Sequence, residues 1–232
     1  MSRPVPWNLL SDNASVGADG WLTVGGCSLG DLAHEFGTPL FVYDEAHLRS
    51  RCREAVQAFP GGAAYATKAF LCRAMARLAL DEGMRLDVAS SGELYVAVAA
   101  GAAGTDLVFH GNNKSADELH FAREVGATIV VDSFDELDRL DALHGDDGIT
   151  PRALVRITPG VEAHTHEFIR TGQADSKFGF GVGSGEAAKA IERARSSSSI
   201  AFDGLHLHIG SQVFIADFFH QAIDVVAPFV NE

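Results

Sequence analysis

Cysteine is scarce in this sequence of 232 residues, which contains only Cys27, Cys52 and Cys72. Their spacing matches no C-x-x-C or zinc-ligand pattern, and their odd number leaves no complete set of disulfide pairs. A disulfide-based scaffold is therefore excluded. We expect reduced thiols in a cytoplasmic protein, because disulfides are rare in that compartment.

Positive charge is also scarce, since 18 Lys and Arg residues stand against 31 Asp and Glu residues, for a formal net charge of −13. This balance argues against a nucleic-acid surface and against a basic membrane-surface helix. No apolar run approaches the ~20 residues that span a bilayer. The N-terminal MSRPVPWNLL also has no apolar stretch long enough for a signal peptide. We therefore expect neither nucleic acid nor a membrane among the partners.

Apolar residues make up 47% of the sequence, which is enough for a packed core. Short apolar segments alternate with stretches of helical length, and this pattern predicts parallel βαβ units in an α/β fold. The predicted strands are GGAAYATKAF, RLDVAS, DLVFHG, TIVVDS, RALVRITPG and FDGLHLHIGS. Residues 1–44 differ: they predict a hairpin, a short helix and a strand at PLFVYD. Asp44 is then predicted to cap the next helix.

Two architectures fit these units, an open doubly wound sheet and a closed (β/α)₈ barrel. The predicted strands end in polar residues, as in barrels, which distribute their chemistry over many strand ends. These residues are Lys68, Ser90, His110, Ser133, Arg156 and His208. We favour a barrel in residues 45–232, with residues 1–44 in a separate domain. Six units are too few for a closed barrel, so we expect the chain to be the front part of a longer protein.

Lys68 ends the first predicted barrel strand, within YATKAF. A lysine amine has a pKa of about 10.4, so attack on a carbonyl requires desolvation or a neighbouring group that favours the neutral amine. The small apolar residues around Lys68 leave room for a flat ligand. By its local sequence alone, however, Lys68 also fits a solvent-facing lysine at a strand end.

RLDVASSGEL places Asp87 near the end of the second strand, where a neighbouring strand would bring it close to Lys68. Ser91 is predicted as an N-cap, and Glu93 suits the positive end of the next helix. HGNNKS fits a turn with Ser115 as the cap of the following helix. Arg156, within the apolar strand LVRI, must be paired if buried, so we expect a carboxylate beside it.

GLHLHIGSQ places His206 and His208 on one face of a strand, because side chains two residues apart point to the same side. Ser211 follows at a position where a phosphate oxygen could bind. An H-x-H pair can also ligate zinc, with His164 or His166 as a third ligand. No cysteine or carboxylate is spaced to complete such a site, and we expect no metal. GVGSGE resembles a phosphate loop but is better explained as a connection into a helix.

Six segments in this order carry a resemblance to a known family: YATKAF, LDVASSGEL, FHGNNKS, LVRITPGVEAHTHEFIRTG, SKFGF and GLHLHIGSQ. Their order and spacing resemble the diaminopimelate decarboxylases, from about residue 20 to the end of the sequence. VEAHTHEFI and HGNNKS are most similar to actinobacterial members. The resemblance implies a fold-type III pyridoxal-phosphate enzyme. Its fold would be a (β/α)₈ TIM barrel of the alanine racemase-like type, incomplete here with about six βα units, and residues 1–44 would join a separate β-domain.

The resemblance also implies roles for individual residues. Lys68 and His208 would be catalytic, with Lys68 carrying pyridoxal 5′-phosphate and His208 stacking on its ring. Ser211 would help to bind the phosphate, and Lys177 would join a polar network at the barrel mouth. The implied cofactor-binding set is Lys68, Asp87, Glu93, Arg156, His208 and Ser211.

The implied reaction is loss of CO₂ from the D-configured centre of meso-2,6-diaminopimelate, which yields L-lysine. A homodimer with active sites at the interface would be implied for the full-length form. The family's phosphate loop, pyridine-nitrogen partner and cross-dimer residues would lie beyond residue 232, so we expect this chain alone to be inactive. Alternatives are an ornithine, arginine or carboxynorspermidine decarboxylase, or a non-catalytic pyridoxal-phosphate-binding barrel.

Overall fold

A computed structural model of the protein describes residues 6–145, 148–160, 177–210 and 213–230. The fold divides into two compact units. The first contains the residues up to Ala64 together with Leu78–Met84, and the second contains Tyr65–Arg77 and the residues from Arg85 onward. The predicted domain division at residue 44 stays a prediction.

The first unit contains a small antiparallel sheet and two helices. Its elements are β1 (Ser15–Val16), β2 (Leu22–Val24), β3 (Cys27–Ser28), α1 (Leu29–Phe36) and α2 (Glu45–Ala58). The predicted cap of α2 is confirmed, because the Asp44 carboxylate accepts a hydrogen bond of 3.0 Å from the His47 amide.

The strand predicted at PLFVYD is wrong. No strand is assigned to residues 39–44. The segment has the composition of a strand, but no strand in the described part of the first unit pairs with it, and Phe41 is 87% exposed. Composition alone cannot supply the neighbouring backbone that a strand requires.

The second unit contains the predicted α/β sheet, apart from Ala64 at the start of its first strand. Its strands are β4 (Ala64–Ala66), β5 (Arg85–Val88), β6 (Leu107–Phe109), β7 (Thr128–Val131), β8 (Arg152–Thr158), β9 (Phe180–Gly181) and β10 (Ala201–Leu207). Their order is β4-β5-β6-β7-β8-β10, with β9 paired to the end of β8. The registers between β5 and β10 are parallel. Each of the six predicted strands thus lies beside the predicted strand before it, as the barrel prediction requires, and only the short β9 in this sheet was not predicted.

Helices connect and follow these strands. They are α3 (Arg73–Asp81), α4 (Ser91–Ala99), α5 (Ala116–Glu124), α6 (Phe134–Ala142), α7 (Glu186–Ser196) and α8 (Asp217–Val230). All six were predicted from the sequence, and GVGSGE forms the connection from β9 into α7. Among the described residues, no helix combines the length and the apolar character needed to span a bilayer.

Three of these helices begin with the same local sequence, a serine followed three residues later by a glutamate. The hydroxyls of Ser90, Ser115 and Ser133 accept hydrogen bonds from the backbone amides of the glutamates that follow, Glu93, Glu118 and Glu136. Each glutamate in turn accepts from a backbone amide at its helix start. These reciprocal bonds satisfy amides that lack partners inside the helix.

The observed cap of α5 confirms the prediction for that helix, and the observed cap of α4 shows that the predicted cap there is wrong. Ser115 caps α5 as expected, whereas α4 is capped by Ser90 and not by Ser91. Both serines match the sequence preference for a cap, and the extended backbone of Ser90 selects it. Because α4 begins directly after β5, its cap holds the carboxyl end of that strand in a defined conformation.

The sheet is packed on alternating apolar side chains. Leu86, Val88, Leu107, Phe109 and Ile129 are all fully buried. The polar residues in and after the strands thus lie near the carboxyl ends of the strands, where the apolar core stops.

Candidate active site

A cavity of about 250 Å³ lies at these strand ends in the second unit. Five of the residues that line it were predicted as site residues: Lys68, Asp87, Glu93, Arg156 and His208. They lie in or directly after four different strands and at one helix start, so only the fold brings them together. The carboxyl ends of barrel strands are where such enzymes place their chemistry.

Lys68 lies in a 3₁₀ turn, Thr67–Ala69, directly after β4. Thr67 is buried and its hydroxyl donates a hydrogen bond of 2.8 Å to the carbonyl oxygen of Asp87. This bond joins the turn to β5 and fixes the backbone of both residues. The Lys68 side chain is exposed at the cavity, where its amine is accessible to a ligand.

Asp87 has an unusual electrostatic environment. Its pKa is raised to about 6, chiefly because burial disfavours the charged form, and Glu93 adds to the increase. Lys68 and Arg156 act in the opposite direction, because their positive charges favour the carboxylate. Asp87 is therefore a carboxylate above about pH 6 and can pair with a positive charge on Lys68.

Arg156 is buried, and its expected carboxylate partner is Asp132. Arg156 Nε lies 3.6 Å from Asp132 Oδ1, and the two side chains are 9% and 2% exposed. The guanidinium also lies 4.5 Å from the centre of the Phe178 ring, a cation–π contact. Burial lowers the pKa of Arg156, and Asp132 and Asp87 oppose that effect.

His206 and His208 both line the cavity, which confirms that they share one face of β10 and its continuation. Burial lowers the pKa of His206 to about 4 and also lowers the pKa of His208. The positive charge of Arg156 contributes to both decreases. Both imidazoles are therefore neutral near pH 7 and present flat, uncharged rings.

His110, which follows β6, was not predicted as a site residue. Its Nε2 lies 3.3 Å from Asp87 Oδ1, and its ring meets that of His206 edge to face at 4.7 Å between centroids. Burial is the main cause that lowers its pKa to about 3, and the electrostatic effect of His206 is the second. The available sequence signal was its position at the end of a strand, the feature that also marked Lys68.

A buried ion pair was also missed. Lys114 Nζ lies 2.7 Å from Glu136 Oε1, and the side chains are 1% and 3% exposed. The ammonium also donates to the carbonyl oxygens of Gly111, at 2.6 Å, and Val130, at 2.8 Å. Glu136 completes the arrangement by accepting from the backbone amide of Asp132, the partner of Arg156.

Four other residues named from the sequence are not among the described lining of this cavity. Ser211, His164 and His166 fall outside the described residues. Lys177 does not line the cavity, although its carbonyl oxygen accepts a hydrogen bond of 3.3 Å from Asn112 Nδ2. Its Nζ lies 5.2 Å from the centre of the Phe178 ring, on which Arg156 also packs.

The buried histidines predict a loss of stability in mild acid. His110 and His206 bind protons with lower pKa values in the folded state than the ~6.5 of an unfolded chain, so their stabilising contribution is lost as the pH falls below about 6.5. Asp87, with a raised pKa, has the opposite sign and offsets part of this loss. For the cofactor-free full-length protein, we expect the unfolding free energy to fall by about 2 kcal/mol from pH 7 to pH 5.

Urea denaturation at both pH values measures this loss. His206→Asn should reduce it to below about 1 kcal/mol by removing one of the two histidines whose protonation causes the loss. His120→Asn is the matched control, because the His120 side chain is 53% exposed on α5. An equal loss in the wild type and in His206→Asn would contradict the assignment.

Comparisons with known proteins agree with this geometry. A family model described as "Pyridoxal-dependent decarboxylase, pyridoxal binding domain" matches residues 45–232. Diaminopimelate decarboxylase of Mycobacterium tuberculosis is 49% identical over 92% of this chain and 49% of its own length. The diaminopimelate decarboxylase of Bacillus subtilis is 50% identical over 84% of this chain and 46% of its own length.

A solved structure extends the agreement to the fold. The crystal structure of diaminopimelate decarboxylase from M. jannaschii in complex with L-lysine aligns with a TM-score of 0.83 at 32% identity, over 95% of this chain and 54% of that chain. The chain spans about half the length of the curated relatives it matches.

Proposed function

The chain belongs to the pyridoxal-dependent decarboxylases through its pyridoxal-binding domain, and from this premise we propose that the full-length protein decarboxylates meso-2,6-diaminopimelate to L-lysine. The observation that carries the proposal is the cavity that gathers Lys68, Asp87, Glu93, Arg156 and His208. The choice of substrate is supported by 49% identity to an enzyme of that name over 92% of this chain.

The residues at the cavity fit pyridoxal 5′-phosphate. An accessible primary amine at Lys68 suits its aldehyde, and the neutral imidazole of His208 suits its flat ring. The positive charges of Lys68 and Arg156, which both line the cavity, suit an anionic ligand. The volume of about 250 Å³ lies slightly below the ~300–1,000 Å³ typical of pockets for drug-sized ligands. We propose Lys68, Asp87, Glu93, Arg156, His208 and Ser211 as the residues of this chain that hold the cofactor.

When bound, the cofactor supplies an electron sink for the pair left behind by CO₂. The chain's own residues supply the rest of the chemistry. The Lys68 amine would hold the cofactor and would move a proton at the reacting carbon. The Asp87 carboxylate would stabilise positive charge at the Lys68 nitrogen, and the neutral His208 ring would help to hold the flat ring of the cofactor.

Residues 1–44 are proposed to belong to a separate β-domain and residues 45–232 to the cofactor-binding barrel, a division supported by the extent of the family match. The full-length form is proposed to be a cytoplasmic homodimer with its active sites at the subunit interface, as the family resemblance implies.

A substrate panel tests the proposed function. The full-length enzyme, loaded with pyridoxal 5′-phosphate, should release CO₂ from meso-2,6-diaminopimelate with a kcat/KM at least about 100-fold above that for ornithine, arginine or carboxynorspermidine, since unpaired polar groups in a site strongly reject wrong substrates. Trapped CO₂ and chromatographic detection of L-lysine provide the two measurements. Faster release from another amino acid would reassign the substrate, and binding of the cofactor without any CO₂ release would contradict the decarboxylase proposal.

A further inference from the structure

His110 lines the cavity, yet the chemistry described above relies on Lys68, Asp87 and His208. Its side chain is 15% exposed, and its Nε2 lies 3.3 Å from Asp87 Oδ1. The backbone of His110 is fixed to the neighbouring strand, because its amide donates a hydrogen bond of 2.8 Å to the Val88 carbonyl. The ring thus projects toward Asp87 from a rigid strand end.

We propose that His110 is a positioning residue whose Nε2–H holds the Asp87 carboxylate in the cavity beside Lys68, while the His206 ring holds His110 in place. The inference rests on the proposed function, because it assigns a role within that reaction. The edge-to-face contact with His206, at 4.7 Å and 68°, limits rotation of the His110 ring.

Asp87 needs such a support because, among the residues that the structure describes, the other hydrogen bond to Asp87 involves its backbone and not its side chain. The Thr67 hydroxyl holds the Asp87 carbonyl oxygen, but this bond leaves the carboxylate free to rotate. The Asp87 side chain is 33% exposed, so a solvent-facing conformation is available to it. A donor on the adjacent strand keeps the carboxylate in the cavity.

A neutral imidazole suits this role. Burial holds the pKa of His110 at about 3, so the ring is neutral near pH 7 and adds no positive charge beside Asp87. A protonated ring would instead compete with Lys68 for the same carboxylate. The other ionisable groups that face Asp87 or His110 from the neighbouring elements are Lys68, Glu93, Lys114, Arg156, His206 and His208.

Substitutions in the full-length holoenzyme distinguish the effect of the N–H donor of His110 from the effect of the volume of its ring. His110→Phe keeps the ring and removes the donor, and we expect kcat/KM to fall about 10- to 100-fold, the loss typical of a hydrogen bond to a charged group. The acid limb of the pH profile should move upward by about one pH unit, because a carboxylate without its donor is protonated more easily. His110→Gln places an amide N–H near the position of Nε2 and should restore activity to within about threefold.

A second substitution tests whether His110 acts through Asp87. In an Asp87→Asn background, adding His110→Phe should lower kcat/KM by less than about twofold, because the group that it positions is already gone. Multiplicative effects of the two substitutions would overturn the proposal. So would a His110→Gln variant as impaired as His110→Phe, or an unchanged acid limb in His110→Phe. If His110→Phe does not fold, the comparison of His110→Gln with His110→Asn, whose amide does not reach the Nε2 position, decides the question.

The cofactor-free protein provides a measurement that does not depend on turnover. Trace acetylation with acetic anhydride, followed by peptide mass spectrometry, compares Lys68 with the exposed Lys189 in the same sample. We expect Lys68 to react about threefold faster in His110→Phe than in the wild type, because the Asp87 carboxylate then no longer pairs with the Lys68 amine. Lys68 should react at the wild-type rate in His110→Gln and in the exposed control His120→Gln. Equal labelling in the wild type and His110→Phe would overturn the proposal.

Different experimental results would contradict the decarboxylase activity and the positioning role of His110. If the wild-type enzyme releases no CO₂ from any amino acid of the panel, the proposed function fails, and the labelling comparison still tests whether His110 holds Asp87 beside Lys68. If the wild type is active but the His110 variants behave like the wild type, only the positioning role fails.

Discussion

Lys68→Ala in the full-length enzyme should lower decarboxylation by at least about a thousandfold, because one substitution removes both the covalent attachment and a proton-transfer group. Lys68→Arg should be equally inactive, since a guanidinium keeps the positive charge but remains protonated and is a poor nucleophile. Steady-state CO₂ release measures both variants. Lys189→Ala is the control, because Lys189 is exposed on α7 and does not line the cavity.

A chemical experiment identifies the lysine directly. Borohydride reduction of the wild-type holoenzyme, followed by peptide mapping, should mark Lys68. In the Lys68→Arg variant the mark should disappear while the far-ultraviolet circular dichroism stays unchanged. A mark on Lys114 or Lys177 with Lys68 unmodified would overturn the site assignment. Lys114 in particular is 2% exposed and already donates to two carbonyl oxygens, so it is not available for this chemistry.

Lys114→Met should destabilise the protein by about 3–5 kcal/mol, because it leaves Glu136 as a buried charge without its partner. It also removes the donor for the Gly111 and Val130 carbonyl oxygens. Glu136→Leu should produce a loss of similar size by leaving the Lys114 ammonium unpaired. Urea denaturation of the cofactor-free protein, with the midpoint and slope reported separately, measures these effects.

The double variant isolates the interaction energy between Lys114 and Glu136 from the contacts that each residue makes with other groups. Lys114→Met combined with Glu136→Leu should cost at least about 2 kcal/mol less than the sum of the single losses, because both unpaired charges are then removed. The exposed pair of Arg152 and Asp203 is the matched control. Its side chains are 45% and 40% exposed, so Arg152→Met should cost less than about 1 kcal/mol. Equal losses at the buried and exposed pairs would show that burial does not determine the strength of this interaction.

The buried pair also bears on the site, because Glu136 accepts from the Asp132 amide and Asp132 pairs with Arg156. Breaking the pair should therefore disturb the cavity as well as the core. This connection could not be found from the sequence, in which Lys114 lies in an apparently ordinary polar turn. Lys114 and Glu136 are separated by a helix and a strand and meet only when β6 and β7 lie side by side.

The sequence by itself determined the features that arise from local patterns. Alternating apolar segments predicted the α/β class, the strands of the main sheet and the helices between them, because each short pattern requires only its own neighbours along the chain. Asp44 and Ser115 were predicted as caps for the same reason. The position of Lys68 at the end of the first strand of this sheet was also visible, as was the shared face of His206 and His208.

The tertiary structure alone decided which groups meet. It selected Asp132 as the partner of Arg156, brought His110 to Asp87 and paired Lys114 with Glu136. It also left PLFVYD without a strand partner. The physical reason is common to all of these: hydrogen bonds and ion pairs act over a few ångströms, and such distances across a sheet are set by strand order and register. A linear pattern indicates which residues need partners, whereas only the folded chain selects them.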